Sequence, residues 1–258
     1  MNATREKLVQ ILIKTKAFKW SPMPSFPLAS GALSRFYIDC RVGLSYPEAR
    51  EIVGDLMLER VLQPVAAVGG LLIGAYPVAI AVSDAAYRKN GQVIRVFAIR
   101  KEPKGHGMKK VIEGDVLEGD RVVIVDDVIT SGGSTIEAIV RSREAGLVVE
   151  QAIAIIDREE QRGKARIEEQ GVRCDALCTL GDLKLAAGVQ SEIARGMREQ
   201  ALSLTAADLN LQPIEARPHV WGAIMELGYA RAVASLCAFA DGTVSLYIST
   251  GGGIIGAG

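Results

Sequence analysis

The chain has 258 residues, enough for one large α/β domain or a domain with an appendage. Thirty Lys and Arg balance thirty Asp and Glu, so net charge is zero and nucleic-acid binding through a globally basic surface is excluded. Apolar residues make up 49%, which excludes wholesale disorder, and with five Phe, six Tyr and two Trp the core has to be aliphatic.

Taken in chain order, residues 4–18 carry Leu8, Ile11 and Leu12 at helical spacing. A Pro-rich turn follows at Pro22–Pro27, then a strand at Arg35–Asp39. Ser45-Tyr-Pro-Glu48 has the form of a capping box with Pro in the first turn, and predicts a helix to about Arg60. From there strands and helices alternate. Gln63–Val68 is a strand, Gly69–Gly74 a glycine loop, 77–88 a helix and Val93–Ile99 a strand. Arg121–Val125 is a continuous β-branched strand ending at Asp126 and Asp127. A glycine loop, a helix from Ser134 to Glu144, a strand at Gln151–Ile156, a charged helix up to Gly171 and a strand at Arg173–Leu180 complete the series. Uninterrupted Val/Ile runs between helices predict a parallel sheet covered on both faces, whose ligands sit beyond the C-terminal strand ends.

After about Leu211 the texture changes. Pro213 and Pro218 mark a linker, followed by a helix-like stretch from Val220 to about Leu236, a turn at Asp241-Gly242 and a strand at Val244–Ser249. Five of the last eight residues are glycine. Gly251-x-Gly253-x-x-Gly256 matches a dinucleotide fingerprint in spelling, but no helix and no acid follow it. The tail reads as a chain cut short inside a second fold, so the expected division is 1–212 and 213–258.

Four cysteines, Cys40, Cys174, Cys178 and Cys237, are too few for a disulfide scaffold. With His106 and His219 the only histidines, a zinc site lacks ligands, and the cysteines read as core thiols. No signal-peptide pattern and no apolar run of about 18 residues is present, so a cytoplasmic protein without membrane contact is expected.

Chemistry concentrates in two stretches. Asp126 and Asp127 end a buried strand, where unpartnered carboxylates would be costly, so they need hydroxyl, cation or metal partners. Thr130-Ser-Gly-Gly-Ser134 follows at once and opens a helix, placing hydroxyls, backbone N–H groups and a helix N-terminus where a phosphate could sit. Ser134 and Glu137 also have capping-box spacing. Acids for sugar hydroxyls beside a phosphate cradle describe a ribose 5-phosphate site, and the P-loop pattern of NTPases is absent. The second stretch, Ile99–Lys110, carries five cationic side chains and one acid on a glycine-hinged segment, suited to closing on a polyanion.

The first stretch resembles the phosphoribosyl pyrophosphate (PRPP) signature of type I phosphoribosyltransferases. The second narrows the resemblance: Arg100-Lys101-x-x-Lys104-x-His106-Gly107, followed by Ile112-Glu-Gly114, is similar to the catalytic loop of the orotate phosphoribosyltransferase family. Phe26–Asp39 is similar to that family's base-binding segment, with Ala29 where a lysine is common and Arg35 where a proline is usual. Gly69–Pro77 matches its pyrophosphate-contacting loop and Asp157-Arg-x-Glu160 its Asp-Arg-x-Glu.

This resemblance covers about residues 4–200. It implies a type I phosphoribosyltransferase-like α/β fold, a parallel sheet flanked by helices with a small N-terminal hood. It further implies transfer of phosphoribosyl from PRPP to orotate, giving orotidine 5′-monophosphate and pyrophosphate. Arg100, Lys101, Lys104 and His106 would be the catalytic cations. Asp126 and Asp127 would hold the ribose hydroxyls, and Thr130, Ser131, Gly132, Gly133 and Ser134 the 5′-phosphate. Arg158, Thr130 and Phe36 would bind orotate. Magnesium would arrive on PRPP, without direct protein ligands. The resemblance also implies a homodimer with shared active sites. Alternatives are a purine or uracil phosphoribosyltransferase, or a non-catalytic PRPP-sensing regulator.

Overall fold

The structure, a computed structural model, describes residues 3–27, 33–101, 111–189 and 192, and the backbone of strands at 233–238, 244–250 and 253–257. The chain forms two units, Met1–Val189 and Gln190–Gly258, a division that falls before residue 212.

The first unit opens with α1 (Ala3–Lys14), which buries Leu8, Val9 and Leu12. Strands β1 (Phe18–Trp20), β2 (Phe26–Pro27), β3 (Leu33–Ser34) and β4 (Phe36–Ile38) make two short antiparallel pairs, β1 with β4 and β2 with β3. These form the expected hood. Helices α2 (Cys40–Leu44) and α3 (Pro47–Leu58) lead to β5 (Ala67–Leu71) and α4 (Ala75–Asn90). Then come β6 (Arg95–Ile99), β7 (Ile112–Gly114), β8 (Arg121–Ile129), α5 (Gly133–Glu144) and β9 (Val148–Asp157). The unit closes with α6 (Gly163–Glu168), β10 (Arg173–Thr179) and α7 (Leu180–Ala186).

Six strands build the main sheet in the order β10-β9-β8-β5-β6-β7, parallel except for β7, which runs antiparallel to β6 at the edge. Its core is aliphatic as composition required: Ile99, Ile124, Ile139, Val149 and Ala154 are buried together, with Phe97 the one aromatic among them. Burying such side chains removes apolar surface from water at roughly 25 cal/mol per Å2.

Several boundaries differ from expectation, each for a physical reason. Gly69 and Gly70 lie inside β5, not in a loop. A Cβ on Gly69 would stand 2.3 Å from Phe97 O, and one on Gly70 2.3 Å from Val125 O, so neighbouring backbone occupies the space a side chain would need. The loop is confined to Leu72–Gly74. β8 does not stop at Asp126 but continues to Ile129, because β9 goes on pairing with it as far as Ile129↔Asp157. Residues 159, 161 and 162 adopt left-handed φ, so the charged helix is limited to α6. Neither expected capping box forms. Ser45 ends α2 and its hydroxyl donates to Val42 O at 2.7 Å, while α3 starts with Pro47 in its first turn. α5 is capped by Gly132, without a side-chain bond. A capping box does form at Thr179 and Asp182, ahead of α7.

In the second unit, β11 (Val233–Ala238), β12 (Val244–Thr250) and β13 (Gly253–Ala257) form an antiparallel sheet in that order. The expected strand at 244–249 is β12. Residues 233–236, expected at the end of a helix, are strand instead. The linker at 213–218, the helix-like stretch from 220 to 232 and the turn at 241–242 lie outside the described residues. Gly253 and Gly256 sit within β13, paired with Thr250 and Tyr247.

Candidate active site

The sheet opens where its strands stop pairing. β5 follows β8 only over Ala67–Gly69 against Val122–Ile124. Beyond Ile124, β8 keeps β9 on one flank and loses β5 on the other, so Asp126 and Asp127 face a gap. A cavity of about 330 Å3 fills that gap. Asp126, Asp127, Thr130, Ser134, Lys101 and Arg158 all line it, joined by Leu72–Gly74 from the loop after β5. Chain segments separated by half the domain thus meet at the C-terminal end of the strands, where such sheets bind ligands.

Asp126 is buried and partnered. Thr135 Oγ1 donates to its Oδ2 at 2.7 Å and Asp127 N to its Oδ1 at 2.9 Å. Burial, and then the charge of the adjacent Asp127, raise its pKa to about 7. Asp127 is also raised, by burial, but the Arg41 guanidinium pulls the other way. Val128 N donates to Asp127 Oδ1 at 2.9 Å. A carboxylate has about four acceptor positions, so both acids retain capacity for hydroxyls.

The glycine loop sits where its backbone can approach an anion. Gly132 is left-handed at φ +76°, and a Cβ there would stand 2.8 Å from Gly163 O. Arg166 Nη1 donates to Ser131 O at 2.6 Å, tying the loop to α6. With Gly132 as the cap, α5 starts at Gly133, whose N donates to Ser131 Oγ at 3.5 Å, and the first turn of the helix lies beside Ser134. Ser131, Gly132 and Gly133 belong to this turn, while Thr130 and Ser134 reach the cavity wall.

Arg158 is buried at the end of β9. Its Nε and Nη2 donate to Glu160 at 2.9 and 3.3 Å. At the end of β6, Arg100 and Lys101 diverge. Lys101 lines the cavity, while Arg100 Nε donates to Glu113 Oε1 at 2.9 Å. Ala29, Lys104 and His106 lie outside the described residues. Phe36 is not among the cavity-lining residues; it stacks on Phe18, with ring centroids 6.3 Å apart, and carries Lys184 Nζ at 4.5 Å over its face.

Sequence reasoning placed Asp39 only at the end of the base-binding segment, without a role, and missed Arg41. Both line the cavity, and Arg41 grips Asp39 with Nε at 2.8 Å and Nη2 at 2.9 Å. Asp39 also caps α2, accepting from Arg41 N at 3.1 Å. The bidentate pair holds the Asp39 carboxyl below the usual range. An Asp-x-Arg placed directly after a short strand was the available signal. Cys40 between them is buried and donates from Sγ to Asp127 O at 3.8 Å.

A parallel sheet whose gap holds an acidic pair, followed along the chain by an anion-binding turn, places the protein among the type I phosphoribosyltransferases. No protein-family model matches the chain. The chain is 41% identical over 180 residues to the orotate phosphoribosyltransferase of Aquifex aeolicus, covering 69% of this chain and 97% of that one. The crystal structure of orotate phosphoribosyltransferase from Aeropyrum pernix superposes with a TM-score of 0.60 at 33% identity, over 70% of this chain and 98% of that one. The Mycobacterium tuberculosis enzyme of the same name, solved in complex with PRPP, matches with a TM-score of 0.57 at 27% identity, over 71% and 93%. The chain belongs to the orotate phosphoribosyltransferase family.

Proposed function

We propose that the protein transfers the phosphoribosyl group of PRPP to N1 of orotate, releasing pyrophosphate and orotidine 5′-monophosphate, a step of pyrimidine biosynthesis. The observation that carries this reading is the single cavity lined by Asp126, Asp127, Thr130, Ser134, Lys101 and Arg158. It offers acceptors for sugar hydroxyls, donors for a phosphate, a cation for a leaving pyrophosphate and a guanidinium for a carboxylate.

As the C1–O bond of PRPP stretches, positive charge grows on the ribose and negative charge on the leaving group. The protein's task is to position and stabilise both. Asp126 and Asp127 hold the 2′- and 3′-hydroxyls; Thr130–Ser134 anchor the 5′-phosphate. Lys101 faces the departing pyrophosphate, with Lys104 and His106 assigned by family resemblance. Arg100 would join them by exchanging Glu113 for a phosphate oxygen. Arg158 meets the carboxylate of orotate, its orientation set by Glu160. Phe36 belongs to the base side through the hood segment that continues into Ile38 on the cavity wall.

Magnesium shares the negative charge of the diphosphate when bound. By the family resemblance the ion would be carried by PRPP, and Asp126 and Asp127, which accept from Thr135 and backbone N–H groups, would keep their remaining acceptor positions for the ribose hydroxyls. A homodimer sharing its active sites accompanies this reading through the family. A cytoplasmic location is consistent with the free, buried Cys40, Cys174 and Cys178; among the described residues no helix is long and apolar enough to cross a membrane.

The test follows orotate absorbance in the presence of PRPP and magnesium. Loss of the orotate signal with release of pyrophosphate is expected. Turnover of hypoxanthine or uracil but not orotate would reassign the base, and binding of PRPP without turnover of any base would make the protein a sensor.

A further inference from the structure

Arg141 lies on α5, about 12 Å along the helix axis from Gly133 at a rise of 1.5 Å per residue. Its guanidinium reaches across to the exit of β6. Nη1 donates to Arg100 O, and Nη2 donates to Lys101 O at 2.9 Å. Nη2 also meets Glu137 Oε1 at 2.5 Å, one turn back on the same helix, which braces the guanidinium in that direction.

The place it grips matters. Pairing of β5 with β6 ends at Leu71↔Ile99, and the next two residues are Arg100 and Lys101. Arg100 N donates to Val111 O at 2.9 Å and Arg100 Nε to Glu113, so one side of this exit is tied to β7. Arg141 ties the other side to α5. Lys101 is the residue that leaves this double anchorage for the cavity wall.

We propose that Arg141 is a positioning residue for phosphoribosyl transfer: by holding two successive carbonyls at the exit of β6, it keeps the Lys101 ammonium on the cavity. A planar fork bonded to adjacent carbonyls fixes the direction of the chain as well as its place, whereas a single donor would allow it to pivot. The same helix begins at the phosphate cradle. The distance between the 5′-phosphate end of the substrate and the cation at its pyrophosphate end is therefore set by one rigid element.

This inference rests on the proposed reaction, and the test keeps the two apart. Steady-state kinetics are measured with PRPP, orotate and magnesium for the wild type, Arg141→Met, Arg141→Lys, Lys101→Met and the Arg141→Met/Lys101→Met double variant. Arg141→Met is expected to raise KM for PRPP and lower kcat, reducing kcat/KM about tenfold, the scale of one charge-assisted hydrogen bond. KM for orotate should stay within about twofold, and Arg141→Lys, able to bond one carbonyl, should restore part of the loss. In the Lys101→Met background, Arg141→Met should cost less than about twofold more, because its effect passes through Lys101. A wild-type KM for PRPP in Arg141→Met, an equal rise in both KM values, or the full loss persisting without Lys101 would overturn the proposal. Should Arg141→Met fail to fold, Glu137→Gln, which removes only the brace, carries the same cycle. A wild type inactive on orotate would overturn the functional reading itself, whereas an active wild type with an indifferent Arg141 would overturn only this inference.

Discussion

Gly74→Ala adds one methyl group at the rim of the site. Gly74 has φ −61° and ψ −42°, a conformation alanine adopts freely, so the backbone does not resist the change. Space does: the new Cβ would lie 2.6 Å from Asp127 Oδ1, 2.8 Å from its Cγ and 2.9 Å from Oδ2. The whole carboxylate must retreat by about 0.5–1 Å to reach ordinary contact, and Oδ1 must then loosen its bond from Val128 N. A misplacement of about 1 Å in a positioning group costs up to about 100-fold in rate. The expected fall in kcat/KM for PRPP is about 10- to 100-fold, or about 1.4–2.7 kcal/mol. Stability should change by less than about 1 kcal/mol, the scale on which alanine exceeds glycine in helical conformation. Kinetics with PRPP varied at saturating orotate, beside a thermal melt, separate the two effects. A folded Gly74→Ala enzyme with the wild-type kcat/KM for PRPP would refute the placement of Asp127 against the ribose.

Three further outcomes are expected. Asp126 keeps its proton up to about pH 7 when folded, against a reference value of 3.8, so wild-type stability falls as pH rises between those values. Asp126→Asn lacks this titration, and its Tm relative to wild type should climb between pH 5 and pH 8; parallel Tm curves would count against a protonated, buried Asp126. Arg158→Ala should raise KM for orotate about 10- to 100-fold, the worth of a charged hydrogen-bonded contact, with a smaller effect on KM for PRPP; equal effects in a steady-state assay would remove its role at the base. Lys104→Ala should lower turnover by about two orders of magnitude or more with an unchanged circular dichroism spectrum, as expected for a lost transition-state contact; near-wild-type kcat would sink the loop assignment.

The chemistry was legible where it is contiguous. Asp126 to Ser134 is one uninterrupted stretch, and its meaning depends on local order: buried strand, acids, hydroxyls, glycines, helix. The roles of Asp39 and Arg41 were not legible, because their importance comes from the fold carrying α2 against the end of β8. The extent of β5 was hidden for a related reason. Glycines suggest a loop when read locally, yet Gly69 and Gly70 are strand residues whose missing side chains make room for the backbones of β6 and β8. The cap of α5 shows the competition between local rules. Ser134 and Glu137 have the right spacing, but Gly132 turns left-handed two residues earlier and starts the helix first, and Glu137 pairs with Arg141 instead. Arg100 and Lys101 are adjacent and chemically alike, and only tertiary structure separates the one that meets Glu113 from the one that meets the cavity.

The three thiols described in the first unit bear on how the enzyme could be studied. Burial holds Cys40 well above the ordinary thiol range and pushes Cys174 and Cys178 up to about 12. At neutral pH the thiolate fraction of a group near 12 is on the order of one in 100,000, so alkylating reagents find almost nothing to attack at these positions. A cysteine introduced at exposed Leu185 would react orders of magnitude faster than any of them. The natural cysteines of this unit can therefore stay in place while a fluorophore or spin label is attached to report on substrate binding.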